Sequence, residues 1–404
     1  MPKCQTEYPA ARIVGFSFLA LAVAFSARAV LGLVASDIEN ELGWSRSFTS
    51  LSAASALMVM AVLAPIAGWF TDRKGARVVI LLGLVCLGTG CLLLAMVTTP
   101  WSFFVVFSGL SSLGFGLVAT HVVSTAVDQE VNSHKGLAVG TATSGATGGQ
   151  FLILPLLGVV VAYFDWRLAF ACLGVTTFIL ILAWVIRYPQ TSPVGNVKER
   201  QRVSLDELKS DCISIIKSGA FHVLFWSYLI CGYTTTGVIE THFLPYTAIC
   251  GIGPVPSTFA YGLLSFVNLL GMILAGWLAD RVNRVVLLGV IYIVRGLTFI
   301  ILVNVGTSFE MLVLFSLIFG LVNYSTIPVT ASLVSSHIGR NVAGLAFGLI
   351  SAGHQIGAAL GAMLGGVLFD LYLQYEEVWY SSLGLALLAG LLVFLLKEDN
   401  HASI

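Results

Sequence analysis

The chain is 404 residues long, 57% hydrophobic and only 10% charged, with a mean hydropathy of +0.94. A soluble globular domain carries roughly 25% charged residues, so most of this surface is predicted to face something other than water. Lys plus Arg number 20, as do Asp plus Glu, and no basic excess points to nucleic acid.

Taken in chain order, the apolar runs number twelve. A bilayer core needs about 20 residues per crossing helix. Six runs lie near 12–35, 48–70, 77–97, 102–127, 136–163 and 168–187, and six more near 220–248, 258–279, 285–304, 308–330, 342–370 and 379–396. They are too long for barrel strands, which predicts an all-α membrane protein of twelve helices. The first run is long enough to stay in the membrane and no A-x-A site follows it, so no cleavable signal peptide is expected. The polar stretch 188–219 separates the two sixes. Within it, SLDELKSDCISIIK has a capping Ser204, early acids and a modest apolar stripe, which predicts a short interfacial helix. The expected division is therefore 1–187, a linker over 188–219, and 220–404.

Sixteen of the 20 Lys and Arg fall on the side that holds the N-terminus, only Arg46 and Arg167 fall on the other, and Arg28 and Arg295 lie inside helices. The positive-inside bias places both termini in the cytoplasm. The seven cysteines contain no C-x-x-C pair and read as small apolar residues, with no disulfide framework or metal site. No Walker sequence, H-E-x-x-H or G-x-S-x-G occurs, and the glycine run 140–149 follows no strand. Neither a cofactor nor enzymatic activity is expected.

One charged phrase is written twice. Residues 68–81 read GWFTDRKGARVVIL and residues 276–288 read GWLADRVNRVVLL, with Gly68 and Gly276 208 positions apart. Repetition at half-length points to two related halves. Gly68 suits close helix approach, Gly75 a tight reversal, and Asp72 the positive end of the following helix, paired with a neighbouring arginine. The pattern G-x-x-x-D-R-x-G-x-R resembles the helix 2–3 signature of the major facilitator superfamily. The second copy is one residue shorter, with Asn283 near the glycine position. SDIENELGWSR before helix 2, FDWRLAF at 164–170 and HFLPY at 242–246 are similar to the monocarboxylate-transporter and oxalate/formate-antiporter branch.

That resemblance implies two six-helix bundles about a central cavity, substrate near the midplane, and halves that rock to expose it to either side. Gly68, Asp72, Arg73, Arg77, Asp280 and Arg281 would form the cytoplasmic gate. The branch typically places a substrate-binding arginine on helix 8. Here Met272 stands at that position, and Asn268 where an acid can precede it.

Ionisable residues inside a membrane helix cost about 2.5–3.5 kcal/mol or more and mark function by default. Arg28 on helix 1 offers a planar fork for a carboxylate. Glu240 on helix 7 sits at nearly the equivalent depth of the second half and suits proton coupling, with His242 close by. Arg295 on helix 9 is a further candidate for substrate contact or a brace to Asn268 or Asn323. Gln150, Asn323, Tyr324, His354 and Gln355 complete the polar candidates, while His121 lies toward the cytoplasmic end of helix 4. The substrate-binding set is thus Arg28, Gln150, Asn268, Arg295, Asn323 and His354.

These residues point to a secondary transporter for a small organic anion, most simply a carboxylate, driven by proton symport or exchange and working as a monomer in the inner (plasma) membrane. An efflux carrier for apolar or cationic compounds, with Glu240 as the binding charge and Arg28 as its counter-ion, is the alternative. A carrier fold serving as a sensor is the third reading, and no appended soluble domain supports it.

Overall fold

A computed structural model describes residues 7–44, 46–187 and 205–397. Lys3, Lys198, Arg200, Arg202 and the capping Ser204 lie outside them, as does most of the predicted linker. The described chain is helical, with no strand among the described residues. The first six helices are α1 (Glu7–Leu42), α2 (Arg46–Lys74), α3 (Ala76–Leu94), α4 (Pro100–Glu130), α5 (Lys135–Tyr163) and α6 (Trp166–Arg187). The next six are α7 (Gly219–Ile249), α8 (Pro254–Ala279), α9 (Arg284–Val303), α10 (Phe309–His337), α11 (Ala343–Tyr372) and α12 (Glu376–Val393). Eleven helices cross the length and hydropathy threshold for a membrane span. The twelfth is α7, which meets the short helix Leu205–Ile216 at 83°.

Local chemistry sets several boundaries. Thr99 accepts from the Ser102 N–H at 3.3 Å and Pro100 occupies the first turn of α4, where its missing donor is harmless. Asn283 accepts from the Val286 N–H at 2.9 Å and so caps α9. Gly75, at φ 86°, is the whole turn between α2 and α3. α1 runs seven residues past its predicted end and carries Glu41 beyond the apolar span. There Glu41 meets Trp166 Nε1 at 2.7 Å and Arg167 Nη1 at 2.6 Å.

Large apolar side chains stay exposed around the outside, among them Leu51, Val62, Leu156 and Leu391. In water such a belt would be unfavourable; in lipid it is the wetted surface. α1 packs on α5, α3 on α6, α7 on α11, and α9 on α12. α2 crosses to α11, and α8 crosses to α5, so these two pairs join the first six helices to the second six.

Candidate substrate cavity and its latches

The repeated aspartates close one face of the molecule. Asp72, in the last turn of α2, accepts from the Gly344 and Leu345 N–H groups at 2.9 and 2.8 Å, at the start of α11. Asp280, at the end of α8, accepts from the Gly136 and Leu137 N–H groups at 2.7 and 2.9 Å, at the start of α5. Each carboxylate satisfies helix-terminal donors that have no partner within their own helix and meets the positive end of the dipole. Asp72 therefore does not serve the next helix, as the sequence suggested. The one-residue turn at Gly75 starts α3 at once, leaving Asp72 inside α2 and facing the other half.

The backbones beneath these bonds nearly touch. A Cβ on Gly68 would strike the Gly344 carbonyl, and one on Gly276 the Gly136 carbonyl. Arg73 turns outward from the latch to Glu207 (2.8 Å) and Asp211 (2.9 Å) of the helix Leu205–Ile216. Arg77 forks onto Glu130, both bonds at 3.1 Å. Arg281 lies 4.1 Å over the Trp277 ring and donates to the Trp277 carbonyl, within its own helix. A further link between the halves escaped the sequence reading. Asp128 of α4 accepts from Ser335 at 2.8 Å and lies 3.8 Å from Arg340 Nε. Its local partner is Lys135, 3.4 Å away, and the two partners in the other half lie more than 200 positions along the chain, where local sequence does not mark them.

Above the latched face lies a central cavity of about 60 Å³. One water needs about 10–15 Å³ by this measure, so the space suits a ligand a few heavy atoms long. α1 contributes Phe25 and Arg28, α4 contributes Ala119, Thr120 and His121, α7 contributes Tyr228, α10 contributes Tyr324, and α11 contributes His354 and Gln355. Arg28 is the cavity's lone Lys or Arg among the described residues. Its guanidinium lies 4.6 Å over the Phe25 ring, and no described carboxylate comes within ion-pair distance. Beside the cavity the Tyr324 hydroxyl donates to Glu240 Oε1. Glu240 and Arg28 are both close enough to act on the Tyr324 and Tyr261 hydroxyls. Arg28, Tyr324 and Glu240 thus form one neighbourhood from α1, α10 and α7.

Three of the predicted substrate residues lie elsewhere, gathered on a break in α10. The first piece of that helix ends at Val322 and the second piece starts at Thr326. Arg295, fully buried, donates to the Val322 carbonyl at 3.0 Å and to the Asn323 carbonyl. Its other nitrogen reaches Cys231 Sγ at 2.9 Å and Thr235 Oγ1 at 3.3 Å. Asn268 Oδ1 accepts from the Tyr324 N–H at 2.9 Å. Arg295 and Asn268 thereby take up backbone groups that the break leaves without helical partners, and the broken backbone presents Tyr324 to Glu240. Gln150 is half-buried on α5 and does not border the cavity. His242 is held between the Ala362 carbonyl (3.1 Å) and the Tyr375 hydroxyl (3.4 Å).

A family model described as the Major Facilitator Superfamily matches residues 17–343 and 251–403. This chain belongs to that superfamily. It is 25% identical over 374 residues to the uncharacterized MFS-type transporter YcxA of Bacillus subtilis, covering 89% of this chain and 90% of that one. It is 23% identical over 369 residues to monocarboxylate transporter 12 of Xenopus laevis, covering 84% and 80%. Among solved structures, the proton:xylose symporter XylE bound to 6-bromo-6-deoxy-D-glucose matches with a TM-score of 0.76 at 14% identity, over 96% of both chains. The chain is therefore a multi-pass membrane transporter of the major facilitator fold and not an enzyme.

The break in the helix recurs between the two halves. α4 breaks at Val118–Ala119 and restarts at Thr120, while α10 restarts at Thr326, 206 positions later. That spacing nearly equals the 208 between the repeated glycines. The first break brings His121 to the cavity wall, a place the sequence did not suggest. The signal was present in GFGLVATH, a glycine-rich, β-branched run where a helix loses continuity cheaply.

Proposed function

We propose that this transporter carries a small organic anion, a carboxylate, by alternating access, coupled to protons or to a counter-substrate. The observation that carries this reading is Arg28: a half-buried guanidinium at a small cavity, with no carboxylate of the described chain within ion-pair distance. A desolvated cation of this kind is costly and favours an anionic guest, which a planar guanidinium binds in a fork. The Xenopus relative, a monocarboxylate transporter by name, supports the same substrate class.

In this mechanism the substrate carboxylate seats on Arg28. Glu240, bonded to Tyr324 beside it, competes for the same positive field, so a proton on Glu240 strengthens anion binding and its loss weakens it. His242, held by Ala362 and Tyr375, braces the second half. The latched face is cytoplasmic by the charge bias, with both termini on that side of the plasma membrane. Gly68, Asp72, Arg73, Arg77, Asp280 and Arg281 belong to the gate that parts when 1–187 and 220–404 rock about the 188–219 linker, within one monomer.

The test is uptake of a panel of short mono- and dicarboxylates into proteoliposomes under an imposed proton gradient, with Arg28→Gln alongside. One acid should accumulate, and its uptake should collapse without the gradient (or without a counter-acid inside) and in the variant. Uptake that survives Arg28→Gln would sink the reading. Transport of cationic compounds that is lost in Glu240→Gln would favour the efflux alternative.

A further inference from the structure

We propose that the Tyr324 hydroxyl is the relay through which the charge on Glu240 governs anion binding: it donates either to Glu240 or to the guest, never to both. The inference rests on the anion-carrier reading above and adds a positioning residue to it.

Three observations meet at Tyr324. Glu240 itself does not border the cavity, whereas Tyr324 and Arg28 both do. The Tyr324 hydroxyl donates to Glu240 Oε1. The backbones of both partners are pinned. Asn268 Oδ1 holds the Tyr324 N–H at 2.9 Å, and the buried Arg295 holds the preceding carbonyls of Val322 and Asn323. Glu240 follows directly on a π-helical turn, Tyr233–Ile239, a rare register that recurs at functional positions. There the Thr241 hydroxyl takes up the Thr236 carbonyl, five residues back, at 3.1 Å. With both backbones fixed, the phenolic hydrogen is the part that can turn. Other titratable groups near Glu240 are Tyr261 from α8 and Arg28 from α1. α11 meets α7 at Gly237 through Ala358 and Gly361. Tyr375 of α12 faces His242, and Glu376 acts on Tyr246, both further along α7. His354 of α11 lies against Tyr228, roughly three turns back along α7. Among the described residues, Tyr324 is the group that both bonds Glu240 and borders the cavity.

A phenol has one hydrogen to give. An ionised carboxylate only accepts, so ionised Glu240 holds that hydrogen. Protonated Glu240 carries a hydrogen of its own, taken from solvent, and donates it to the phenol oxygen. The tyrosine keeps its hydrogen throughout and turns it toward the next acceptor. In a cavity of about 60 Å³, a carboxylate seated on Arg28 is that acceptor. Hydrogen bonds to a charged group are roughly twice as strong as neutral ones, and the guest gains this one only while Glu240 is neutral. Proton and anion then favour each other's binding, and by linkage the effect is mutual.

The test measures binding of labelled pyruvate, butyrate and succinate to the purified full chain at one alkaline pH. The forms compared are the unaltered chain, Arg28→Gln, Glu240→Gln, Tyr324→Phe and the double variant Glu240→Gln/Tyr324→Phe. Glutamine stands in for protonated Glu240, because its amide donates to the phenol oxygen. An acid whose binding depends on Arg28 serves as the probe. Glu240→Gln should tighten its Kd by about ten-fold or more. Tyr324→Phe should move the Kd by less than about two-fold when Glu240 is present, and weaken it by about ten-fold or more in the Glu240→Gln background. An equal effect in both backgrounds is what a structural role, or charge acting through space alone, produces. That result overturns the inference and leaves the anion reading standing. So does a Glu240→Gln variant that binds no more tightly than the unaltered chain, an outcome that needs no tyrosine variant. If none of the three acids binds in an Arg28-dependent manner, the anion reading fails and this inference falls with it.

Discussion

At the scale of single residues, burial and function part company. Arg295 is the most deeply buried cation in the described chain, yet it serves the α10 backbone, whereas Arg28 borders the cavity without a carboxylate partner. Asn268 illustrates what such a supporting residue is worth. Replacing it by Leu leaves the Tyr324 N–H without its acceptor, and a buried orphan costs about 1–3 kcal/mol. Thermal unfolding in detergent should show a loss of that size. A changed KM at unchanged stability would instead put Asn268 at the substrate. Glu41 supplies a pH-dependent case outside the membrane. The Trp166 indole N–H and the Arg167 guanidinium hold its carboxyl below the usual 4.5. A carboxyl lowered on folding contributes stability above its unfolded value and loses it as pH falls through the lower folded value. Melting temperature should therefore drop below about pH 4.5 in part through Glu41, and Glu41→Gln should flatten that part of the profile. An identical acid limb in the variant would remove Glu41 from the account.

Between helices, the contacts that matter are those with no side chain in the way. Gly276→Leu puts a branched side chain where the Gly136 carbonyl already sits. The substitution gains about 1 kcal/mol of helix propensity, but the α5–α8 contact must open to admit it. Spin labels on the latched ends of α5 and α8 should report a longer distance in the variant, and an unchanged distance would show that the crossing has slack. The helix Leu205–Ile216 is held more lightly. Its pairs with Arg73 are partly exposed, and such pairs contribute about 0–1 kcal/mol. Arg73→Ala should raise hydrogen exchange across 205–216 with little change in melting temperature.

For the whole molecule, the two aspartate latches decide which face is shut. Each makes two charge-assisted bonds to the opposite half, and such bonds contribute about 1.5–3 kcal/mol apiece. Asp72→Ala and Asp280→Ala should each shift the population toward opening at the latched face by at least ten-fold, read as faster labelling of a cysteine placed there. The latches lie on separate helix pairs, so the double variant should show nearly additive free energies. A double variant no more open than either single would mean that one latch carries the closure alone.

Much of this architecture was legible in the chain itself. Twelve apolar runs, the repeated GWFTDRKG and GWLADR phrases and the bias of basic residues follow from local chemistry: lipid requires long apolar helices, and each loop carries its own charges. Arg28 was legible too, because a charge inside an apolar run announces itself. The tertiary structure decided the partners. Asp72 read as serving the adjacent helix and instead caps α11 of the opposite half, since the one-residue turn at Gly75 leaves it pointing away from its own; Asp280, read as a gate residue, likewise caps α5. Arg295 read as a substrate group or a brace, and Asn268 and Asn323 as substrate groups; the break in α10, which contains Asn323, took Arg295 and Asn268 to its backbone. His121 read as peripheral, and the break in α4 brought it to the cavity. Periodicity counts residues along an unbroken helix. Where a helix breaks, the freed backbone groups recruit the polar side chains, and only the packed fold shows which ones answer.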